Sequence, residues 1–367
     1  MAATAAMMPV LADMFSFDRG SAPDTRQPLF SENLHFHGAL VQPARTSKLR
    51  TMIGESEGSG ESHGTIAGSE AGFRSGFVAV IGLPNVGKST LVNRLVGQKL
   101  SIVTAKAQTT RQRMLAIYTD NGHQAVFVDT PGLLEPRYLL QQGMREEADS
   151  AAVDADLILY VVDAGYPRSL EHASEWQGPP HVPAVLCLNK TDRIDPADQA
   201  IIQAGFQKAG TWRSVFDTVA TLGEGVDELR SGVLSELPEG PQLYPEDEVA
   251  TAPLRFFAAE LIRETCFEEL GQELPYSIAV GIEEFRESEV PIYVGATVFV
   301  ERDSQKGMVI GKGGTMVRRI GTSARRKLET MVETRVYLDL RVKVLRNWRR
   351  NPARLKLLGY PVPSRKE

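Results

Sequence analysis

The stretch Gly82-Leu83-Pro84-Asn85-Val86-Gly87-Lys88-Ser89 decides the fold of this 367-residue chain. Residues 77–81 before it are all apolar and predict a buried strand, and the apolar spacing of residues 90–95 predicts a helix. A glycine-rich loop between a strand and a helix is the setting in which the pattern G-x-x-x-x-G-K-[ST] binds phosphate, through backbone N–H groups and the positive end of the helix. In that setting Lys88 would contact the β- and γ-phosphates, and the Ser89 hydroxyl would bind Mg²⁺.

A second motif, Asn189-Lys190-Thr191-Asp192, follows the apolar run 185–188 and indicates which base is bound. The Asp192 carboxylate can accept hydrogen bonds from both N1–H and the 2-amino group of guanine, whereas adenine has no such pair of donors. Asn189 would hold the loop and the edge of the base, and the stem of Lys190 can lie over the purine face. The motifs therefore predict a site for GTP or GDP.

A third motif, Asp129-Thr130-Pro131-Gly132, follows the apolar residues 125–128, which predict another strand. Asp129 would bind Mg²⁺, directly or through water. The Gly132 N–H can bond the γ-phosphate, which makes the loop after it a candidate sensor of GTP versus GDP.

The segment Gln108-Thr109-Thr110-Arg111 lies where a switch loop should supply a hydroxyl to Mg²⁺, and we favour Thr110 over Thr109. The proposed metal ligands are therefore Ser89, Thr110 and Asp129. Four motifs in this order on alternating strands and helices predict a doubly wound α/β GTPase domain with a P-loop.

Catalysis has a less complete signature. Leu133 stands where Ras-like enzymes place the glutamine that orients the attacking water, and it has neither a donor nor an acceptor. We therefore expect a low intrinsic rate, with Lys88, Thr110 and Gly132 nearest the reaction. Asn85 is a candidate ligand for K⁺, which would place positive charge where an arginine finger otherwise lies; alternatively, Asn85 hydrogen-bonds within its own loop.

The C-terminal third carries a G-x-x-G loop, Gly311-Lys312-Gly313-Gly314, that leads into a helix with apolar residues at 317 and 320. This arrangement is typical of a KH domain, in which the loop clamps a short run of nucleic-acid backbone against an apolar groove. The predicted elements around it follow the order α-β-β-α-α-β of the type II KH topology. They are a helix over 256–270, strands over 278–282 and 296–300, a helix pair over 307–332 and a strand over 336–344.

Charge is unevenly distributed along the chain. The whole chain has a net charge of −5, yet basic residues crowd its last quarter, and such asymmetry is a signal of nucleic-acid binding. The alternative for many of them is a solvated helix face. We expect Lys312 to contact phosphate, and a KH groove takes unpaired bases, so the predicted partner is single-stranded RNA. The candidate RNA-binding residues are Gly311, Lys312, Gly313, Gly314 and Arg318.

From about residue 77 to its end, the chain resembles the Era family of ribosome-assembly GTPases. The resemblance is carried by 82–93, 98–103, 106–111, 129–133 and 189–192 in the first domain, and by 260–264, 300–307, 310–314, 342–344 and 348–349 in the second. It implies GTP binding, slow hydrolysis, and binding near the 3′ end of small-subunit (16S-type) ribosomal RNA during maturation of a pre-30S subunit. The nucleotide-binding residues it implies are Gly82, Leu83, Pro84, Asn85, Val86, Gly87, Lys88, Ser89, Asp129, Thr130, Pro131, Gly132, Leu133, Asn189, Lys190, Thr191 and Asp192.

One departure from the family pattern concerns the last loop that contacts guanine. The family usually has Ser-Ala there, and this chain has Val219-Ala220. The backbone N–H of Ala220 can still bond the guanine O6, since that contact needs no side chain. Loss of the serine hydroxyl should loosen the loop, so we expect somewhat weaker nucleotide affinity.

The predicted organisation is a disordered N-terminal extension (1–75), a GTPase domain (76–237), a Pro-rich linker (238–252) and a type II KH domain with a basic C-terminal tail (253–367). The extension is rich in Ala, Gly, Ser and Thr, and its Ala-rich start fits a transit peptide, although early acidic residues do not. We expect an organellar protein, in the chloroplast stroma sooner than the mitochondrion, with a bacterial cytoplasmic protein as the alternative. We also expect a monomer without a transmembrane segment, for which peripheral membrane contact stays open.

Three classes of function fit these motifs. The first is a GTP-driven switch that times release from ribosomal RNA. The second is a GTPase acting in RNA modification, against which the KH signature counts. The third is an RNA-binding protein whose nucleotide site is mainly regulatory, and the intact Lys88, Ser89, Asp129 and Asp192 place it below the first.

Overall fold

The buried strand before the glycine-rich loop forms the centre of a six-stranded sheet with the order β2-β3-β1-β4-β5-β6. We describe a computed structural model covering residues 72–104, 106, 108–271 and 274–364. In this sheet β2 runs antiparallel to β3, and the other neighbours pair in parallel. The strands are β1 (Arg74–Ile81), β2 (Met114–Thr119), β3 (His123–Asp129), β4 (Leu157–Asp163), β5 (Ala184–Asn189) and β6 (Val215–Thr218).

Helices cover both faces of this sheet, which explains why its central strands are continuous apolar runs. One face packs a cluster that includes Leu91 and Leu229, and the other packs a cluster that includes Ala148 and Phe206. The helices are α1 (Lys88–Val96), α2 (Leu139–Asp154), α3 (Pro167–Glu175), α4 (Pro196–Ala209) and α5 (Val226–Ser235). The predicted doubly wound α/β domain is confirmed, and its motif loops gather at the carboxyl ends of the parallel strands.

The second domain has the predicted α-β-β-α-α-β order. Its three strands follow the order β7-β8-β9, with β7 antiparallel and β9 parallel to β8. Its helices α6 and α8 share a core with the sheet that includes Ile262, Val298 and Ile320. The elements are α6 (Leu254–Glu269), β7 (Ala279–Arg286), β8 (Ile292–Val300), α7 (Asp303–Ile310), α8 (Thr315–Val332) and β9 (Val336–Val344).

The residues after β9, read from sequence as a basic tail, are folded as far as residue 364. A short 3₁₀ turn (Trp348–Arg350) leads into α9 (Pro352–Leu357). Trp348, Leu355 and Tyr360 are buried in a cluster with residues 140 and 144 of α2. Their apolar side chains are separated by charged residues, which hides the pattern in the sequence.

The predicted linker lies along the GTPase domain. The Ser75 N–H donates to the Pro238 carbonyl at 3.0 Å, and the Ile117 N–H donates to the Val249 carbonyl at 2.9 Å. The Gln124 Oε1 atom accepts from backbone N–H groups in the same linker. These bonds hold the linker against β1, β2 and β3. Strand β1 begins two residues before the predicted domain start, and the rest of the predicted N-terminal extension, residues 1–71, lies outside the described residues.

Cys187 and Cys266 are free and buried, one in each domain, as expected for core residues. Burial raises the pKa of both thiols to about 12, so neither is a reactive thiolate at neutral pH. Over the described ranges of the chain, no helix is both long and apolar enough to cross a membrane.

Candidate nucleotide site and KH loop

The glycine-rich loop runs from β1 to the first residue of α1, Lys88. The Lys88 ammonium donates to the carbonyls of Gly82 and Leu83, each at 3.0 Å, so it lies across the mouth of its own loop. Burial lowers the pKa of Lys88 to about 8, and the negative charge of Asp129 partly opposes that shift. A phosphate group in the loop would favour the charged lysine for the same electrostatic reason.

The phosphate loop and the base motif are in direct contact through Gly87 and Asn189. Gly87 has a φ of 104°, and a Cβ atom there would collide with the side-chain amide of Asn189. That amide donates to the Val86 carbonyl at 2.8 Å. The glycine is required both by its backbone conformation and by this close approach.

Asn189 also holds the loop after β6. Its Oδ1 atom accepts from the Thr218 hydroxyl at 3.2 Å and from the Ala220 N–H at 3.0 Å. The contact between the Ala220 N–H and guanine O6 stays a prediction, because in this structure that N–H donates to Asn189. Asn189 thus ties the phosphate loop to the last base loop.

Lys190 and Asp192 lie on the outer side of the same motif. The Lys190 ammonium contacts Asp163 Oδ2 at 2.7 Å and the Asn85 carbonyl at 2.5 Å. Asp192 is exposed, so its carboxylate is accessible to a base. Sequence reasoning missed Asp163, although its place at the end of β4, beside the motif loops, was a usable signal.

Arg94 is a second residue that sequence reasoning missed. From α1 its guanidinium donates to the Ala220 carbonyl at 3.1 Å through Nε and to the Thr221 carbonyl at 2.6 Å through Nη2. The helix that begins at the phosphate loop therefore also braces the base loop. In the sequence, Arg94 is indistinguishable from an ordinary solvated helix residue.

The three predicted metal ligands meet beside the phosphate loop. The Ser89 hydroxyl lies 2.8 Å from the Thr110 hydroxyl and 2.8 Å from Asp129 Oδ2, and Thr110 lies 3.3 Å from that oxygen. Thr109 instead donates to the Lys106 carbonyl at 2.9 Å. The structure thus brings Thr110, and not Thr109, to the cluster.

The donor set of this cluster suits Mg²⁺. Asp129 Oδ1 is buried and has no hydrogen-bond partner among the described residues. Burial raises the pKa of Asp129, against the lowering effects of the Ser101 and Ser89 hydroxyls and the Lys88 ammonium. A cation bound at the free oxygen would favour the charged carboxylate, and hydroxyl and carboxylate oxygens are ligands that Mg²⁺ accepts. Ser101, which donates to Asp129 Oδ2 at 2.7 Å, lies in the stretch 98–103 that carries the family resemblance, but its residue type alone did not predict this contact.

Gly132 and Leu133 pack against the phosphate loop. A Cβ atom on Gly132 would collide with the backbone of Pro84, and the Leu133 N–H donates to the Gly82 carbonyl at 3.0 Å. The Leu133 side chain is buried in the core.

Asn85, the candidate K⁺ ligand, lies exposed in the same loop. It has a φ of 65°, in the left-handed region. Within the part of the chain that the structure describes, no hydrogen bond of its side chain is found.

The switch segment around Thr110 is bound by the second domain. The Lys106 ammonium donates to the carbonyls of Phe267 and Leu270, and the Arg263 guanidinium donates to the Thr109 carbonyl at 2.5 Å. The Arg111 guanidinium donates to the Ile278 carbonyl at 2.5 Å. None of these contacts had a sequence signal, because the partners are far apart along the chain.

A buried glutamate strengthens the same junction. Glu264 pairs with Lys99 of the GTPase domain at 2.9 Å and with Lys327 of α8 at 2.8 Å, and it accepts from the Val103 N–H at 3.1 Å. Burial acts to raise the pKa of Glu264, but the two lysines outweigh it and the pKa is lowered. The carboxylate therefore stays charged within a protein interior.

The G-x-x-G loop lies at the surface of the second domain. Gly311, Gly313 and Gly314 all have positive φ, at 73°, 61° and 77°. Lys312 and Gly313 are exposed, and the Arg318 guanidinium donates to the Gly313 carbonyl at 2.5 Å. The predicted RNA-binding residues thus form one accessible loop with Arg318 bound to it.

Many of the basic residues in the last quarter of the chain are already ion-paired. Arg319, Lys327, Arg341, Lys343, Arg346 and Arg349 each have a carboxylate partner. In the described part of this region, the exposed cations without an ion pair include Lys312, Arg325, Arg326, Arg350 and Lys356. The basic residues of this region thus fall into two sets: those already held in ion pairs, and exposed ones that are available to a polyanion.

Comparison with known proteins gives matches over both domains. A family described as a 50S ribosome-binding GTPase matches residues 77–190, and a family described as a KH domain matches residues 273–349. The GTPase Era of Leuconostoc citreum is 44% identical over 297 residues, covering 80% of this chain and 98% of that protein. The GTPase Era of Thermotoga petrophila is 45% identical over 281 residues, covering 76% of this chain and 94% of that protein.

Solved structures agree with these matches. An Era variant of Aquifex aeolicus bound to GDP and AlF₄⁻ has a TM-score of 0.75 at 38% identity, covering 79% of this chain and all of that one. Era in complex with MgGDPNP and nucleotides 1506–1542 of 16S ribosomal RNA has a TM-score of 0.74 at 38% identity, with the same coverage.

Proposed function

The chain belongs to the Era family of GTPases, and from this premise we propose that it is a GTP-controlled switch that binds single-stranded small-subunit ribosomal RNA near its 3′ end and assists assembly of 30S-type subunits. A similar protein has been solved with a GTP analogue and 16S ribosomal RNA nucleotides. The strongest support is that two features occur together in the structure: Thr110 lies beside Ser89 and Asp129, and the G-x-x-G loop is exposed.

The phosphate half of the site would work through charge and backbone donors. Lys88 would leave its loop carbonyls and bind the β- and γ-phosphates, and the Gly132 N–H would bond the γ-phosphate. Ser89, Thr110 and Asp129 would hold Mg²⁺, whose chemistry is to neutralise the charge on the phosphates. The γ-phosphate would further stabilise the ordered switch segment that keeps Thr110 beside Ser89 and Asp129.

The base half would recognise guanine through Asp192, whose exposed carboxylate matches the N1–H and 2-amino donors. Asn189 would keep the base loops on the phosphate loop, and Lys190 would lie along the purine face. Ala220 would offer its N–H to guanine O6 once that group is released from Asn189.

Hydrolysis would be slow, because the buried Leu133 cannot orient a water molecule. K⁺ bound through the exposed Asn85 would supply positive charge near the transferred phosphoryl group. The test is the GTPase rate in K⁺ and in Na⁺ at fixed ionic strength, with Asn85→Ala as the matched variant. A faster rate in K⁺ that is lost in Asn85→Ala is expected, and equal rates in the two salts would remove the cation from the proposal.

The RNA site would be the G-x-x-G loop, with Lys312 on phosphate and Gly311, Gly313, Gly314 and Arg318 shaping the clamp. The test is binding of an oligonucleotide that matches the 3′ end of small-subunit ribosomal RNA, with a scrambled oligonucleotide as control. Gly313→Asp should abolish specific binding, because it places a carboxylate against RNA phosphate. Gly313→Asn has nearly the same shape without the charge and should retain more binding. Equal affinity for both oligonucleotides would contradict sequence-selective RNA binding.

We also propose that the protein acts as a monomer in an organelle, with the chloroplast stroma preferred. This rests on the Ala-rich composition of the first residues, and the relatives compared above are bacterial. A fusion of residues 1–75 to a fluorescent protein tests the proposed location. Accumulation in chloroplasts is expected, and a diffuse cytoplasmic signal would contradict it. Peripheral membrane contact and binding to a pre-30S particle would be read from co-sedimentation of the full chain with vesicles and with subunits.

A further inference from the structure

Arg111 is a buried arginine of the GTPase domain whose observed hydrogen-bond and ring contacts lie in the KH domain. The residue is 3% exposed. Its guanidinium donates to the carbonyls of Ile278 at 2.5 Å, Tyr276 at 3.2 Å and Pro275 at 3.3 Å. Such a fork matches the planar donor geometry of arginine and would not be filled by another side chain.

Three aromatic rings surround the same guanidinium. Its central carbon lies 5.8 Å from the ring centroid of Phe267, 5.7 Å from that of Trp348 and 5.8 Å from that of Tyr360. A cation within about 6 Å of an aromatic face is attracted by it, and more strongly where water is excluded. No carboxylate among the described residues forms an ion pair with Arg111. The hydrogen bonds and ring contacts that offset the burial of its charge therefore come from the KH domain.

The residue before Arg111 is Thr110, whose hydroxyl lies beside Ser89 and Asp129. The residue before that, Thr109, gives its carbonyl to Arg263, which is 1% exposed and bound to Glu260. The chain is thus anchored to the KH domain on both sides of Thr110. Because neighbouring Cα atoms are 3.8 Å apart, two such anchors leave Thr110 little freedom to move away from Ser89.

We propose that Arg111 is a positioning residue for the γ-phosphate and Mg²⁺ half of the nucleotide site, through which the KH domain holds Thr110 in place. The inference rests on the proposed function, since it assumes GTP in the phosphate loop. Beyond that function, Arg111 would make the preference for GTP over GDP depend on the orientation of the KH domain. The two anchors flank Thr110, so release of either should weaken the contact of Thr110 with Ser89 and Asp129.

The test compares the affinities of the full chain for Mg²⁺-GDPNP and Mg²⁺-GDP in three variants. Arg111→Ala should lower the affinity for Mg²⁺-GDPNP by about 10-fold and leave the affinity for Mg²⁺-GDP unchanged. A loss of this size is typical when a residue that supports a metal ligand is removed. Arg111→Lys keeps the charge but not the fork and should recover part of the loss. Tyr360→Leu removes one ring from the KH side, far along the sequence, and should shift the same ratio in the same direction.

Gln112→Ala is the matched control. Gln112 is the next residue, and it crosses the same junction by donating to the Gly359 carbonyl at 2.6 Å, but it does not flank Thr110. In the Gln112→Ala variant, the ratio of the affinities for Mg²⁺-GDPNP and Mg²⁺-GDP should equal that of the wild type. An unchanged ratio in Arg111→Ala would overturn the inference, and so would an equal loss of both nucleotides. If the wild type bound neither nucleotide, the proposed function itself would fail.

Discussion

The two halves of the nucleotide site are supported by different domains. The base half is braced within the GTPase domain, where Asn189 and Arg94 hold the loop after β6. The Mg²⁺ half depends on Thr110, which is flanked by contacts of Thr109 and Arg111 with the KH domain. Recognition of guanine should therefore be insensitive to the orientation of the KH domain, whereas recognition of the γ-phosphate should depend on it.

The largest effect is expected from Asp192→Asn, which tests the base half alone. An amide cannot accept from both donors of guanine, but its N–H can donate to the C2 oxygen of xanthine. The preference for GDP over xanthosine diphosphate should change by about 1000-fold or more, since a site built around hydrogen bonds rejects a mismatched base strongly. Competition between the two nucleotides for the purified protein measures it. Retained preference for GDP would place guanine recognition elsewhere.

The next largest effect is expected from Asp129→Asn in the Mg²⁺ half. The substitution keeps the shape of the side chain and removes the charge beside Ser89 and Thr110. Mg²⁺-supported GTP hydrolysis should fall by about 100-fold, at the upper end of the loss seen for groups that merely orient metal ligands. A Mg²⁺ titration of the hydrolysis rate measures it.

Ser101→Ala is the milder companion of that substitution. It removes one hydrogen bond to Asp129 and leaves the charge in place, so it should cost about 10-fold or less. A wild-type Mg²⁺ dependence in Asp129→Asn would contradict the assignment of this cluster.

Arg94→Ala sharpens the comparison from the base side. Two hydrogen bonds from a charged group to the base loop are lost at a partly exposed position, so binding of GDP and of the GTP analogue should weaken alike, by about 10-fold. The equal loss distinguishes Arg94 from Arg111, which should affect the analogue alone. Arg230→Ala, on the neighbouring helix α5 and bound to Leu95 and Asp227, is the control and should leave both affinities unchanged. A selective loss of the analogue in Arg94→Ala would break the division between the two halves.

The smallest effect is expected from Val219→Ser. Val219 is buried, and its backbone already bonds Glu224 within the same loop. A restored hydroxyl should add about one hydrogen bond and tighten GDP binding by about fivefold. Isothermal titration with GDP measures it, and no gain would mean that the backbone and Arg94 already fix the loop.

The sequence predicted what local patterns encode. The strand, loop and helix around Lys88 follow from short-range spacing, as do the strand ahead of Asn189 and the helix after Gly314. Placing these motifs in order was enough for both folds, because each motif belongs to a known position at the end of a strand or the start of a helix.

The sequence did not predict contacts that form between distant segments. The rings around Arg111 come from residues 267, 348 and 360, and only the folded chain brings them together. Trp348, Leu355 and Tyr360 are scattered among arginines and lysines, so the sequence does not show that they form one cluster. The Pro-rich composition of the linker likewise gives no indication of the backbone bonds it makes to β1 and β2. The residues of the base half could thus largely be predicted from the sequence, whereas the contacts that support the Mg²⁺ half could not.

The most direct test of the central claim measures RNA affinity as a function of nucleotide. The same domain arrangement holds Thr110 beside Ser89 and leaves the G-x-x-G loop exposed, so we expect GTP and RNA to favour it together. Because coupling between two binding sites is reciprocal, RNA should then bind more tightly when GTP is bound. The oligonucleotide matching the ribosomal RNA 3′ end is titrated in GDPNP, in GDP and without nucleotide, with the wild type and with Arg111→Ala. We predict tightest binding in GDPNP for the wild type and a smaller difference between nucleotides in Arg111→Ala. Equal affinity of the wild type in all three states would contradict the account.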